Sequence, residues 1–544
     1  MTDPYRSSAS RLAPALASMT PQAVRAALLA RQEILLADLR EEDIFARGHP
    51  LWAANFPLGR LELDVPRRIP RRDVLIVLYG QDEDRDLAPI AAARLHDWGY
   101  ENVHLLQGGL TAWRAQGYET FIDVNAPSKA FGELVEARRH TPLLPAEEVQ
   151  RLLASDHPPV IVDARRFDEF QTMSIPGGIS VPGAELVLRV RALAPDPKTQ
   201  VIVNCAGRTR SIIGTQSLLN AGVPNPVAGL RNGTIGWLLA GLTLDHGAQR
   251  RFSAVSDDLR AQARADARAV AARAGVPRVT AEQAARAVPG RSIYRIDVRP
   301  PEEYALGHLP GFQNVPGGQL VQEVDHAVPV RGARIVLADD DGARADMTGS
   351  WLAQMGWDVQ VVAPPETAQY APHAQPDIPA AAAIAPPSVP RISALRLNEW
   401  LHDSHQRTVV VDITASADYV RGHIPGAWFA LRSRFAKALR VIGRADRYVL
   451  SCGTGALAAH AVADLQALTG AQVFTLEGGT QGWQAAGFPI ASGEENMASA
   501  RIDRYRRPYE GTDAPRAAMQ AYLDWEYGLV AQLERDGTHF FTVI

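Results

Sequence analysis

Short apolar runs bounded by turn residues recur along the 544-residue chain, and they recur in one order. An apolar strand ending in Asp-x-Arg, or a relative of it, is predicted four times: residues 34–40 (ILLADLR), 160–165 (VIVDAR), 294–299 (YRIDVR) and 409–414 (VVVDIT). Ten residues beyond each Asp lies a turn, at Gly48-His49-Pro50, Met173-Ser174-Ile175-Pro176-Gly177, Gly307-His308-Leu309-Pro310-Gly311 and Gly422-His423-Ile424-Pro425-Gly426. A second apolar strand follows at residues 74–79, 201–204, 335–338 and 448–451. The next residue is Gly80, Cys205, Asp339 or Cys452, placed 42, 42, 42 and 40 positions after the Asp of its copy. Each loop leads into an alanine-rich stretch of helical spacing, as at residues 87–95 and 456–465. Three copies close on a glycine turn and a Trp: Gly108-Gly109 with Trp113, Asn232-Gly233 with Trp237, and Gly478-Gly479 with Trp483. The third copy runs instead into Ala363-Pro364-Pro365.

A unit repeated at this spacing sets the architecture. Continuous apolar strands alternating with helices imply a parallel sheet covered on both faces, so the expected fold is α/β: four tandem, small, doubly wound sheets. The expected spans are 18–125, 140–250, 279–365 and 391–492, followed by a tail at 496–544. Ligands of such sheets sit at the carboxyl ends of the strands, where the loop after the second apolar strand lies. Residues 256–275 have few large apolar side chains and read as an exposed helical connector. Residues 370–390, rich in Ala and Pro, read as a semi-rigid linker that divides the copies into two pairs. The tail carries Tyr505, Tyr509, Tyr522, Trp525, Tyr527, Phe540 and Phe541, which suggests docking on the body or on a second subunit.

The length exceeds what one hydrophobic core serves, in agreement with several domains. A formal net charge of −4 offers no global attraction for nucleic acid or acidic membranes. Residues 1–20 lack an apolar core of signal-peptide length and no later stretch has 18 uninterrupted apolar residues, so a cytoplasmic location is expected. The two cysteines stand 247 positions apart without neighbouring Cys or His at ligand spacing, which argues against a disulfide framework or a metal site. Neither metal nor cofactor is expected.

Chemistry concentrates at Cys205-Ala206-Gly207-Arg208-Thr209-Arg210-Ser211, between a strand and a helix. A turn there points successive backbone N–H groups inward with a helix N-terminus behind them, which makes an anion cradle. With Arg208 and Arg210, that cradle is expected to favour thiolate over thiol at Cys205. Gly207 lets the backbone approach closely, and Ser211 is placed to cap the helix. A Cys ending an apolar strand is otherwise buried packing, but two arginines, a glycine and a helix start argue for chemistry. The first copy offers Gly80-Gln81-Asp82-Glu83-Asp84-Arg85 and the third Asp339-Asp340-Asp341-Gly342-Ala343-Arg344. Both keep an Arg at the fifth place but lack a nucleophile, and the run 339–341 reads as a solvated acidic turn. The fourth, Cys452-Gly453-Thr454-Gly455-Ala456-Leu457, has a thiol but no loop Arg, and Thr414 replaces the strand-end Arg. Its thiolate would rest on backbone dipoles alone, so Cys452 is either a second nucleophile or packing.

Taken together, the strand with Asp-x-Arg, the Gly-His-x-Pro-Gly turn, the strand ending in Cys and the closing Gly-Gly…Trp resemble the rhodanese family over most of the chain. The resemblance is strongest at residues 201–216 (VIVNCAGRTRSIIGTQ), which look like the active loop of single-domain thiosulfate sulfurtransferases. It implies transfer of sulfane sulfur through a persulfide at Cys205, from a small anionic donor such as thiosulfate to cyanide or a thiol. It also implies that Arg210 recognises the donor and that Asp163 and Arg165 brace the loop. Phosphatases of this fold are expected to have five residues between Cys and Arg; the four between Cys205 and Arg210 make a cradle for one sulfur atom. The loop of the fourth copy is similar to that of mercaptopyruvate sulfurtransferases. His49, His308 and His423 fall in family turns, where a structural hydrogen bond is expected. The alternative is a carrier or scaffold that passes persulfide sulfur to a protein partner, with the copies lacking a thiol holding that partner.

Overall fold

The computed structural model describes residues 16–82, 85–363, 383–511 and 513–544. Glu83 and Asp84 of the first loop, Pro364-Pro365 and the linker as far as residue 382 lie outside the described residues. Among the described residues, four five-stranded sheets are formed, each parallel throughout and each with the same order. In the second unit the order is Ile179–Ser180, Val160–Asp163, Val201–Asn204, Val227–Leu230, Leu143–Leu144. Burial on both faces explains why these strands read as unbroken apolar runs: Val201, Ile202 and Val203 are all fully buried.

The register sets Asn204 against Asp163, so the loop carrying Cys205 leaves the sheet beside that carboxylate. In three units the strand-end Asp is gripped by the Arg two positions on. Arg165 donates Nε and Nη2 to Asp163 at 2.8 Å each, and Nη2 reaches the carbonyl of Met173 in the following turn at 2.6 Å. Arg40 joins Asp38 to Gly48 O, and Arg299 joins Asp297 to Gly307 O, in the same manner. In the fourth unit Thr414 leaves Asp412 with its own N–H and the Thr480 hydroxyl. Burial therefore lifts the Asp412 carboxyl to about 6 against those two hydrogen bonds. The turn histidines make structural contacts. His49 bridges Pro50 O and Asp123 O while stacked on Phe45, and His423 and His308 bond the carbonyls of the tyrosines they stack on.

Two expectations about the joints need correction. The connector, a helix over Asp257–Arg273, is not an exposed spacer. Ala263, Ala267, Val270 and Ala271 form one buried face that packs against the helices Leu186–Leu193 and Arg344–Gln354. Small side chains at helical spacing let the three helices approach closely, which low hydrophobicity disguised in the sequence. The acidic run of the third unit is solvated only at its middle residue, Asp340. Asp339 and Asp341 are fully buried, and among the described residues no cluster suits a metal. No described helix is long and apolar enough to cross a membrane.

Arg344, from the same loop, joins the second and third units. Its guanidinium, nearly fully buried, pairs with Asp341, Asp340 and Glu303 of its own unit and with Glu185 of the second at 2.5–2.8 Å. Removing one partner of such a network strands the others without compensation, at a cost of roughly 3–5 kcal/mol. Arg344→Ala is accordingly expected to split off an early thermal transition, read by calorimetry, in which the second and third units separate. An unchanged melting profile would contradict this role.

Candidate active site

Cys205 follows the strand Val201–Asn204 and precedes the helix Thr209–Asn220. The strand-end brace extends into this loop, because Asn204 donates its side-chain amide to Asp163 Oδ2 at 2.7 Å. From the other side the closing glycine turn supports it. Thr234 N–H donates to Cys205 O at 2.9 Å and Ile235 N–H to Ala206 O at 3.0 Å. A Cβ on Gly233, whose φ is +53°, would lie 2.3 Å from Cys205 O, so only glycine permits that approach.

The sulfur faces a cradle. The Cys205 thiol donates to Ser211 Oγ at 3.4 Å, and that hydroxyl donates to Arg208 O at 2.8 Å. Ser211 thus touches the sulfur rather than capping the helix, as expected from sequence; its backbone N–H is a further hydrogen bond to the sulfur. Arg210 acts on Cys205 through its charge while both its terminal nitrogens lie 2.8 Å from Glu169. Burial works to raise the Glu169 carboxyl, but Arg210, aided by Arg165 and Arg166, holds it down at about 2. Arg208 points away: it pairs with Glu133 at 2.8 Å and with Glu136, and donates to Tyr527. The expectation that both arginines favour the thiolate is therefore half wrong. Arg208 fastens the loop to the helix Ala126–Arg139, where Gly132 lets Thr209 close in. The net effect on the thiol also departs from the expectation. With Cys205 only 2% exposed, burial pushes its pKa up, outweighing Arg210 and Ser211.

A small cavity of about 20 Å³ opens on Cys205, with space for a single water-sized guest. Its wall is built by four parts of the chain: Gly207, Arg208, Thr209 and Arg210 of the loop, Ser128 and Lys129 of the preceding helix, Gln322 of the third unit, and Tyr509 and Tyr522 of the tail. The tail therefore docks on this body. Tyr522 and Glu526 on the helix Arg516–Tyr527 close over Gly207, and Ala206, Ile235, Tyr509, Met519, Tyr522 and Leu523 form one apolar cluster. Sequence reasoning picked out the tail aromatics but not their destination. It missed Lys129 and Gln322 altogether, since spacing within one unit carries no signal for residues supplied by another.

The same cradle recurs with different contents. In the third unit the Asp339 carboxylate accepts the N–H groups of Gly342 and Ala345, three and six residues on. In the fourth, Cys452 receives backbone N–H groups from Ala458, Leu457 and Gly455, but no cation. Burial is the largest influence on that thiol and pushes its pKa up. Cys452 lines a separate cavity of about 930 Å³ between the units, whose wall shares Gln322 and Tyr509 with the Cys205 cavity. In the first unit, Gln81 pairs with Asp86 and Asp82 with Arg85 in a short antiparallel ladder.

The family model described as a rhodanese-like domain matches residues 20–116, 145–240, 280–363 and 393–486. Among solved structures, a thiosulfate sulfurtransferase from Pseudomonas aeruginosa is similar over 97% of this chain and 100% of its own, with 61% identity and a TM-score of 0.94. The centrosomal protein of 41 kDa from Mus musculus is 29% identical over 135 residues, 22% of this chain and 36% of that protein. An uncharacterised protein of Synechocystis is 35% identical over 95 residues, 17% of this chain and 50% of that protein. The chain thus spans about a third to a half of the length of these two curated relatives.

The balance of forces on Cys205 is open to measurement by the pH dependence of its alkylation. The wild-type midpoint is expected above that of a free thiol, about 8.5. Arg210→Met removes the stabilising cation and moves it further up. Tyr522→Ala admits water, relieves the burial and moves it down. Shifts of the same sign in both variants would contradict this reading of the site.

Proposed function

The chain belongs to the rhodanese-like family, and on that premise we propose that it is a thiosulfate-type sulfurtransferase working through a persulfide at Cys205. The observation that carries the reading is the pairing of a thiol with a cradle for one small anion: Ser211 N–H on the sulfur, Arg210 beside it, and a cavity of sulfur size in front. Cys205 first loses its proton to solvent. The thiolate then attacks the outer sulfur of thiosulfate, an S–S bond forms to Cys205, and the S–S bond of the donor breaks with its electron pair leaving as sulfite. The resulting persulfide anion is held by the donors that held the thiolate. Cyanide or a thiolate then attacks its terminal sulfur, giving thiocyanate or a new persulfide and regenerating the Cys205 thiolate.

Arg210, locked to Glu169, supplies a fixed positive charge that needs no reorganisation as negative charge moves between sulfur atoms. Asp163 and Arg165 act as positioning residues, through Asn204 and the turn at Met173. Cys452 takes no part in turnover: no Arg stands in its loop. The relative from Pseudomonas aeruginosa, described as a thiosulfate sulfurtransferase, supports thiosulfate as the donor.

With thiosulfate, the purified protein is expected to gain the mass of one sulfur, and to form thiocyanate steadily once cyanide is added. Cys205→Ser should abolish both, and Cys452→Ser should leave both intact. Loading without turnover would point to a carrier that needs a protein acceptor. The absence of any gain at Cys205, with thiosulfate or a persulfide donor, would overturn the sulfurtransferase reading.

A further inference from the structure

Lys129 stands apart in this chain. It is one of only three lysines among 56 basic residues, and at 3% exposure its ammonium is buried on the wall of the Cys205 cavity. A buried ammonium is costly unless it is paired and hydrogen-bonded. Its Nζ lies 2.8 Å from Asp123 Oδ1 but off the hydrogen-bonding direction, so its N–H bonds lack a well-directed acceptor. That carboxylate also accepts the N–H of Val124 and faces Arg507 at 3.5 Å, although Arg507 pairs more closely with Glu510 at 2.6 Å. On the other side Nζ lies over the rings of Tyr522 and Trp525, 5.2 and 5.3 Å from their centroids, which holds a cation in place but accepts no conventional hydrogen bond. Two other acids feel Lys129: burial, then Glu133, lifts Glu526 to about 8, and burial lifts Asp325 to about 7.

The two arginines of the loop are occupied differently. Arg210 is forked onto Glu169, and Arg208 onto Glu133 and Glu136. Lys129 is therefore the cation of the cavity whose hydrogen-bonding capacity is least spent. It comes from the helix Ala126–Arg139, outside the sheet that carries Cys205. We propose that Lys129 is a specificity-determining residue of the Cys205 site: once Tyr509 and Tyr522 give way around a cavity that now holds one small guest, it binds the anionic group of the sulfur donor that departs as the leaving group (the sulfonate of thiosulfate, which leaves as sulfite). The proposal rests on the sulfurtransferase reading. It adds that selectivity for a doubly charged donor comes from a lysine outside the loop.

The test compares thiosulfate, a dianion, with methanethiosulfonate, a monoanion that delivers the same sulfur, both with cyanide as acceptor. Lys129→Met is expected to raise KM for thiosulfate on the order of 10-fold or more, the loss of one buried charge-assisted hydrogen bond, with a much smaller change for methanethiosulfonate. Sulfite should protect Cys205 from alkylation in the wild type and lose that effect in the variant. Lys129→Arg should restore the preference for thiosulfate. Lys129→Gln, which keeps a polar group beside Asp123, carries the same comparison should the methionine variant lose its fold. Equal losses with both donors, or an unchanged KM for thiosulfate, would overturn the assignment and leave Lys129 a packing residue. If the wild type accepts sulfur from neither donor, the sulfurtransferase reading falls and this assignment with it.

Discussion

Everything around Cys205 is hung from a carboxylate buried at the end of a strand. Asp163 holds Arg165 on one side and Asn204 on the other, so it fixes both the turn at Met173 and the point where the chain leaves the sheet for the active loop. A buried carboxylate persists only when its charge is met, and Arg165 meets it in fork geometry. Where the Arg is missing, the consequence is visible in the same molecule. Asp412, left with Thr414 N–H and the Thr480 hydroxyl, is lifted to about 6 by burial. The two cysteine loops thus differ first in what lies behind them.

They differ next in what fills the cradle. A strand that ends at a helix N-terminus leaves inward-pointing N–H groups that require a partner. In the third unit the partner is permanent: the Asp339 carboxylate takes the N–H groups of Gly342 and Ala345, and no thiol is present. In the second it is the Cys205 sulfur, which meets the N–H and hydroxyl of Ser211 and the charge of Arg210. The third unit is in this sense a cradle closed on itself. Its loop Arg, Arg344, pairs with Glu303 as Arg210 pairs with Glu169, but serves to join two units.

The sheets and the Cys205 loop were legible in the sequence because each depends on local spacing. Strands buried on both faces leave unbroken apolar runs, and the Asp-to-loop distance repeats at 42, 42, 42 and 40 residues. Contacts that cross between units leave no such trace. The direction of Arg208 is set by Glu133, 75 residues earlier, and the roof over Gly207 by Tyr522, from the far end of the chain. The connector Asp257–Arg273 misled for a related reason: its buried face is alanine, so close helix packing looked like solvent exposure. The thiol pKa was misjudged because loop charges can be counted in a sequence, whereas the burial that outweighs them cannot.

The central claim is that, of the two cysteine loops, that of Cys205 alone takes an exchangeable sulfur. Its most direct test is the stoichiometry and place of sulfane sulfur on the whole protein, loaded with thiosulfate, freed of excess donor and digested for peptide mapping. One sulfur per chain, confined to the peptide carrying Cys205, is the result this account predicts. Sulfur shared with the peptide carrying Cys452, or found there alone, would contradict it.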